Sequence, residues 1–167
     1  GYDLMAAFIG SLGMLGVVTE ITVRLLPTPP AAKVLMAAFE SVDEAASAVA
    51  RIIAAGIIPA GLEMMDTPAI VAAEDFVEAG YPRDAAAILL CEVDGTQAEA
   101  DAEIGAVSSL LFECGARSVD IARDESERER FWSGRKNAFP AVGRISPDYY
   151  CIDGTIPRHQ LGNVLKG

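Results

Sequence analysis

An arginine set among aromatic side chains is the part of this sequence best suited to chemistry. Phe131 and Trp132 lie one helical turn before Arg135, and Phe139 lies one turn after it, so the four side chains share a face if this segment is helical. A guanidinium on such a face requires an anionic partner, because burying it unpaired is costly. An acidic residue of the same chain is the partner that the spacing alone favours, and a bound anion is the alternative.

Four nearby residues could complete an anion-binding wall around this arginine. They are Lys136, Arg144, Tyr149 and Tyr150. Each could equally be a solvated surface residue, and for Lys136 the surface is the favoured interpretation.

Other common catalytic groupings do not fit the residues present. The sequence has a single histidine, His159, so neither a Ser/His/Asp triad nor a metal site of the usual ligands can be assembled. Glu63 and Asp66 lie on a predicted strand with two methionines between them. Their expected role is to cap the strand end and to face solvent, rather than to act as a paired acid and base.

A glycine-rich segment is the second candidate site. Gly10, Gly13 and Gly16 precede the run 17–25, whose apolar and polar residues alternate as in a strand. A Rossmann fingerprint needs a strand before its glycines and a helix after them, so dinucleotide binding of that kind is excluded. Glycines at this density still permit a ligand to approach the backbone closely, although the spacing alone favours an ordinary turn.

The composition limits the classes of protein to which these sites can belong. Hydrophobic residues make up 51% of the 167 residues, which is enough for a core and excludes intrinsic disorder. The net charge of −11 disfavours binding to nucleic acid or to anionic lipid. The most apolar run, 45–62, is interrupted by Arg51, Gly56 and Pro59, so no membrane-spanning helix is predicted.

Alternating strand and helix signals along residues 31–167 predict an α+β fold. Two βαβ-like units are typical of a ferredoxin-like antiparallel sheet with helices on one face. The strands are predicted at 34–39, 62–66, 86–93, 117–122 and 149–153. The helices are predicted to start at Ser41, Thr67, Thr96, Asp124 and Pro157, with the fourth running to Pro140.

The proline-rich segment 27–30 is predicted to be a stiff linker and a domain boundary. The chain opens at Gly1 without an initiator methionine, and it ends at Gly167 just after a helix-like run. We interpret it as a piece of a longer protein. Residues 1–25 are expected to be its least well anchored part, because their strand would have lost its own sheet.

Several separated motifs resemble the FAD-linked oxidases of the vanillyl-alcohol oxidase type. Residues 10–20, with the sequence GSLGMLGVVTE, look like the closing motif of the flavin-binding domain in that family. The match continues in the right order through 62–66, 131–139 and 148–153, and so covers essentially the whole chain.

The resemblance implies two parts and an activity. Residues 1–30 would be the remnant of the FAD-binding domain with its linker, and residues 31–167 a truncated substrate or cap domain. The chain would be part of an FAD-dependent 2-hydroxy-acid dehydrogenase that oxidises glycolate to glyoxylate with hydride transfer to flavin. Another 2-hydroxy acid such as D-lactate is the alternative within the family, and a non-catalytic ferredoxin-like binding or oligomerisation module is the alternative outside it.

The resemblance also implies which residues touch the ligands. The backbone of the glycine motif lies along the FAD in that family, so the implied cofactor contacts are Gly13, Met14, Leu15, Gly16, Val17 and Val18. Leu12 stands where the family usually has glutamate, which puts that side-chain contact in doubt. Arg135 would bind the substrate carboxylate, and Arg144 and Tyr150 are further candidates for substrate binding. A metal-binding histidine motif would lie beyond Gly167, so no metal ligand is predicted here and the chain alone is expected to be inactive.

Partners and location follow from the same reasoning. The substrate would be a small 2-hydroxy acid, and other subunits of the same oxidase would be the protein partners. Three widely spaced cysteines, Cys91, Cys114 and Cys151, form no disulfide framework and are expected to be buried in a protein of a reducing compartment. We therefore expect a cytoplasmic protein, with attachment to the inner membrane only through partner subunits.

Overall fold

Four strands pair into one antiparallel sheet in the computed structural model of this protein, which describes residues 1–166 without the side chains of His159 and Lys166. The strands are β1 (Ala31–Phe39), β2 (Gly61–Asp66), β3 (Ala87–Gly95) and β4 (Ser118–Ile121). Their order across the sheet is β2-β3-β1-β4, and each neighbouring pair is antiparallel. The longest pairing joins β1 to β3, with Ala31 opposite Gly95 and Phe39 opposite Ala87.

Helices precede, connect and follow these strands. They are α1 (Leu4–Phe8), α2 (Val42–Ala54), α3 (Thr67–Val77), α4 (Gln97–Glu113), α5 (Glu125–Lys136), α6 (Ala138–Ile145), a short 3-10 helix (Arg158–Gln160) and α7 (Leu161–Lys166). Four of the predicted helix starts are confirmed. The side chains of Ser41, Thr96 and Asp124 accept hydrogen bonds from backbone N–H groups of α2, α4 and α5, and α3 begins at Thr67.

The strand order confirms the predicted ferredoxin-like arrangement. In the units β1–α2–β2 and β3–α4–β4, the two strands of each unit are separated by one strand of the other unit. This interleaving is the split βαβ pattern. The α+β class with an antiparallel sheet is therefore confirmed.

Helices cover both faces of this sheet, which corrects the prediction that they cover one. Leu35 belongs to a buried cluster with Ile52 of α2, whereas the adjacent Met36 belongs to a second cluster with Ile70 of α3 and Phe131 of α5. Successive strand residues point to opposite faces. The central strands β1 and β3 contain runs of consecutive apolar, buried residues, 34–39 and 87–91, instead of an alternating pattern, so both faces must be covered.

The helix predicted from Asp124 to Pro140 is two helices. It ends at Lys136, and α6 begins after Asn137 with Pro140 in its first turn. Proline has no N–H to donate to an earlier carbonyl, so it fits the start of a new helix better than the interior of an old one.

Two predicted strands are wrong. Residues 17–25 and 149–153 have no strand structure, and none of the four described strands pairs with either segment. A segment with strand-like residues forms a strand only where a neighbouring strand pairs with its backbone groups. Val17 and Ile21, which lie on the apolar face of the predicted strand 17–25, are 86% and 71% exposed.

A tyrosine holds α5 against the face of the sheet to which Met36 points. Tyr81 is buried, and its hydroxyl donates to the carbonyl of Phe131 while accepting from the backbone N–H of Arg135 at 3.2 Å. In an undisturbed helix those two backbone groups would pair with each other. Gly134 leaves room for the ring, because a Cβ at this position would lie 2.6 Å from Cζ and Oη of Tyr81. The hydroxyl therefore fixes the last turn of α5 in place.

Replacing Gly134 with alanine should lower the free energy of unfolding by about 1–3 kcal/mol, as expected for an extra methyl in a packed site. Gly105→Ala in α4 is the matched control, because nothing lies within 4 Å of its Cβ position. That variant should gain up to about 1 kcal/mol from helix propensity. Urea denaturation compares the two, and equal stabilities would show that the Tyr81 ring does not constrain this turn.

The same tyrosine should make stability sensitive to high pH. Burial raises the pKa of Tyr81 to about 12 from its ordinary value of 10.0. Its stabilising contribution is therefore complete below pH 10 and is lost as the pH rises towards 12. We expect the free energy of unfolding to fall by up to about 2–3 kcal/mol over this range.

Tyr81→Phe should be less stable than the parent at neutral pH and should lack this part of the decline. Denaturant titrations between pH 9 and 12 measure it, with Tyr2→Phe at a position that is 97% exposed as the control. An unchanged decline in Tyr81→Phe would assign the loss of stability to other groups.

Candidate functional site

An open groove of about 540 Å³ lies where β2, the end of α5, α6 and the segment 149–152 meet. The charged residues among those described in its lining are Glu63 and Arg135. The walls are otherwise largely apolar or aromatic, and include Met64, Phe139, Val142, Tyr149, Tyr150 and Ile152. Small-molecule sites commonly combine apolar walls with a few polar groups that orient the ligand.

The arginine of this groove has an intramolecular partner. Its Nε–H donates to Oε2 of Glu63 at 3.0 Å, and the two side chains are 38% and 39% exposed. Among the side chains that the structure describes, this is the only hydrogen bond of the Arg135 guanidinium, so the N–H groups of Nη1 and Nη2 have no partner among them. The ion pair favoured by spacing is confirmed, and it still leaves the end of the guanidinium free to bind an anion.

The helix that carries Arg135 is held to the sheet by a second carboxylate. Glu92 of β3 accepts from Nε1 of Trp132 at 2.7 Å and from Nη2 of Arg128 at 2.9 Å. The indole ring lies against Gly61, where a Cβ would be 3.1 Å from two ring atoms. A larger residue at position 61 would push α5 away from β2. The contact between Glu63 of β2 and Arg135 of α5 depends on the close approach of these two elements.

Glu63 is the charged residue of the groove that the sequence analysis did not place there. It was expected at a solvated strand end, but it lies on the sheet face covered by α5. The sequence signal was that Glu63 lies two residues before the apolar Met65 on one strand, so both side chains point to the same face of the sheet. Met65 is buried in the cluster on that face. Asp66 caps the start of α3 and not only the end of the strand, because its Oδ1 accepts from the N–H of Ala69 at 3.1 Å.

The structure brings some of the other predicted substrate-binding residues to the groove. Tyr150 lines it, and Tyr149 lines it while stacking on Phe139 at 6.4 Å between ring centroids. Arg144 is not brought to the groove: its guanidinium lies over the ring of Phe76, 5.6 Å from the centroid. Lys136 is exposed.

The cysteines differ from one another in burial, which corrects the expectation that all three are buried. Cys91 is buried, and burial raises the pKa of its thiol to about 12. Cys114 is partly exposed, and Cys151 is exposed in the lining of the groove.

The predicted flavin contacts, residues 13–18, lie outside the groove lining and are exposed. Gly10 and Gly13 have φ of +81° and +78°, and no atom lies within 4 Å of either Cβ position. A cofactor could therefore approach these backbone groups closely. Residues 10–18 carry no charged side chain, so the peptide groups are what the segment offers to an FAD.

Other classes of site are not seen in the part of the chain that the structure describes. No group of three potential metal ligands occurs among these residues, and the side chain of His159 lies outside them. Within the same residues, no helix combines the length and apolar character needed to cross a membrane.

Comparison with known proteins gives a consistent result. The family profile described as FAD linked oxidases, C-terminal domain, matches residues 28–167. Glycolate oxidase subunit GlcD of Escherichia coli is 63% identical over 167 residues, which are 100% of this chain and 34% of that protein. D-lactate dehydrogenase of Anaerostipes hadrus is 28% identical, over 99% of this chain and 36% of that protein. The chain thus spans about a third of the length of the curated relatives it matches.

A solved structure supports the fold. Alkyldihydroxyacetonephosphate synthase superposes with a TM-score of 0.61 at 18% sequence identity, over 89% of this chain and 31% of that one. At this identity the likeness bears on the architecture and not on the reaction.

Proposed function

Because this chain belongs to the family of FAD-linked oxidases, we propose that it contributes the substrate-side domain of a longer FAD-dependent 2-hydroxy-acid dehydrogenase. In this proposal residues 31–167 belong to the substrate domain and residues 1–30 end the flavin-binding domain and link the two. Glycolate is the substrate that the 63% identity to glycolate oxidase subunit GlcD favours.

The main support for the proposal is the pattern of hydrogen bonds that the guanidinium of Arg135 makes in the groove. Its Nε is bonded to Glu63, and its two Nη groups have no partner within the described residues. A carboxylate can accept one hydrogen bond from each Nη in a planar, two-point arrangement. Such an arrangement fixes the orientation of a small acid, and therefore the direction in which its α-hydrogen points.

The residues around the guanidinium would complete the environment of the substrate. Met64 and Ile152 would provide apolar contacts in the groove, and the hydroxyl of Tyr150 would contact the acid. FAD, when bound, supplies the acceptor for the hydride of the α-carbon. This chain's part is to hold the carboxylate, and a base outside the described residues would take the hydroxyl proton.

Glycolate and D-lactate are the two substrates to compare. They differ by one methyl group, a difference that a pocket discriminates by about 1–3 kcal/mol. The similarity to a D-lactate dehydrogenase makes D-lactate the second candidate. Steady-state kinetics with both acids on the same preparation would assign the preference.

The proposed function also implies protein partners, the position of a metal site and a location in the cell. Other subunits of the oxidase would be its partners, and a divalent metal would bind only outside residues 1–166. A cytoplasmic location follows from the proposed assembly, with membrane attachment through partner subunits.

The isolated chain of 167 residues should fold but should neither retain FAD nor oxidise glycolate. Its exposed segment 13–18 offers one line of peptide contacts, whereas cofactor sites bury most of the ligand surface. Absorbance near 450 nm after purification in the presence of FAD measures retention. Stoichiometric flavin would contradict the proposed division between two domains.

Arg135→Lys, made in the flavin-loaded protein that contains this chain, should impair turnover and leave flavin content unchanged. Lysine keeps the charge but cannot donate two parallel hydrogen bonds. We expect a loss of about 2–4 kcal/mol in transition-state stabilisation, read from kcat/KM with glycolate and with D-lactate.

Arg51→Lys is the matched control, because Arg51 pairs with Glu113 at the same distance of 3.0 Å outside the groove lining. That variant should keep parental kinetics. If Arg135→Lys lowers the melting temperature but leaves kcat/KM at the parental value, the arginine has a structural role only and the proposed carboxylate contact is wrong.

A further inference from the structure

We infer that Glu63 is a positioning residue that holds Arg135 in the orientation needed to bind the substrate carboxylate. The inference rests on the proposed function of Arg135. Its basis is the single contact between them, in which Oε2 of Glu63 accepts from Nε of Arg135 at 3.0 Å. Because the contact uses the side of the guanidinium, the Nη1 and Nη2 end stays available.

The strand places Glu63 where this contact can form. Residue 63 pairs with Leu90 of β3 in the interior of the sheet register, so the backbone beneath the carboxylate is fixed. Gly61 permits the close approach of α5 through Trp132. The acceptor therefore stands on a rigid element and not on a loop, which is what a well-defined site requires.

The arginine is held at both ends by these contacts. Tyr81 accepts from its backbone N–H at 3.2 Å, and Glu63 accepts from Nε at the far end of its aliphatic chain. An arginine side chain is otherwise free to populate many rotamers, and each binding event would have to order it. Holding both ends leaves little of that ordering to the moment of substrate binding.

The carboxylate of Glu63 also has an electrostatic cost. It is an anion in the lining of the groove that we assign to an anionic substrate, so its charge opposes binding through repulsion. Orientation and repulsion therefore predict opposite changes when the carboxylate is removed. If orientation dominates, removal weakens turnover; if repulsion dominates, removal improves the apparent affinity.

Two variants in the flavin-loaded protein separate these effects. Glu63→Ala removes the acceptor and should lower kcat/KM for glycolate and D-lactate by about 10- to 100-fold, the scale expected for a misplaced binding group. Glu63→Gln keeps an acceptor oxygen and should recover most of this loss. Glu113→Ala, which breaks the matched pair with Arg51, should leave the kinetics at the parental level.

Three results would overturn the inference. They are an unchanged kcat/KM in Glu63→Ala, a lower KM in that variant, and a loss in Glu63→Gln as large as in Glu63→Ala. The variant Arg135→Lys distinguishes this failure from failure of the proposed function. If Arg135→Lys is impaired and Glu63→Ala is not, only the positioning role is wrong; if Arg135→Lys is itself unimpaired, the proposed function fails first.

Discussion

The hydroxyl of Tyr81 is the contact on which the geometry of the groove depends. It lies between the carbonyl of Phe131 and the N–H of Arg135, and it fixes the last turn of α5 against the sheet. Tyr81 is itself held, because its backbone N–H donates to Oε1 of Glu74 at 2.8 Å. Since Gly134 gives the ring its space, a side chain at that position would displace the backbone that carries the arginine.

Helix α5 is attached to the sheet more by polar contacts than by apolar burial. Its buried residues are Phe131 and Gly134, whereas carboxylates of β3 and β2 bind its side chains at both ends through Glu92 and Glu63. Such partly exposed ion pairs add little stability, but they are directional. The arrangement orients a guanidinium beside a groove without burying it, so the group stays accessible to a ligand while its position is defined.

The sequence allowed much of the fold to be predicted because the relevant signals are local. The caps Ser41, Thr96 and Asp124 and the apolar runs of β1 and β3 identify the elements directly. The helices on both faces were missed, although a central strand such as β1, apolar at consecutive positions, requires cover on both sides. The alternating segment 17–25 and the short segment 149–153 were both predicted as strands, but pairing depends on a neighbouring strand that the local sequence does not reveal.

The site could be predicted only in part for the same reason. The need of Arg135 for an anion follows from its aromatic neighbours, but the identity of Glu63 as its partner depends on how α5 lies across β2. That approach is set by Gly61 and Trp132, which are far apart in the sequence. Arg144 belongs to α6, a helix that the sequence analysis did not predict as a separate element, and its guanidinium lies over Phe76 and not in the groove.

A crystal structure of the flavin-loaded protein with glyoxylate bound would test the carboxylate contact most directly. The account predicts that the two carboxylate oxygens lie about 3 Å from Nη1 and Nη2 of Arg135, while Nε remains bonded to Glu63. A glyoxylate bound elsewhere, or bound in this groove without contact to Arg135, would contradict the account.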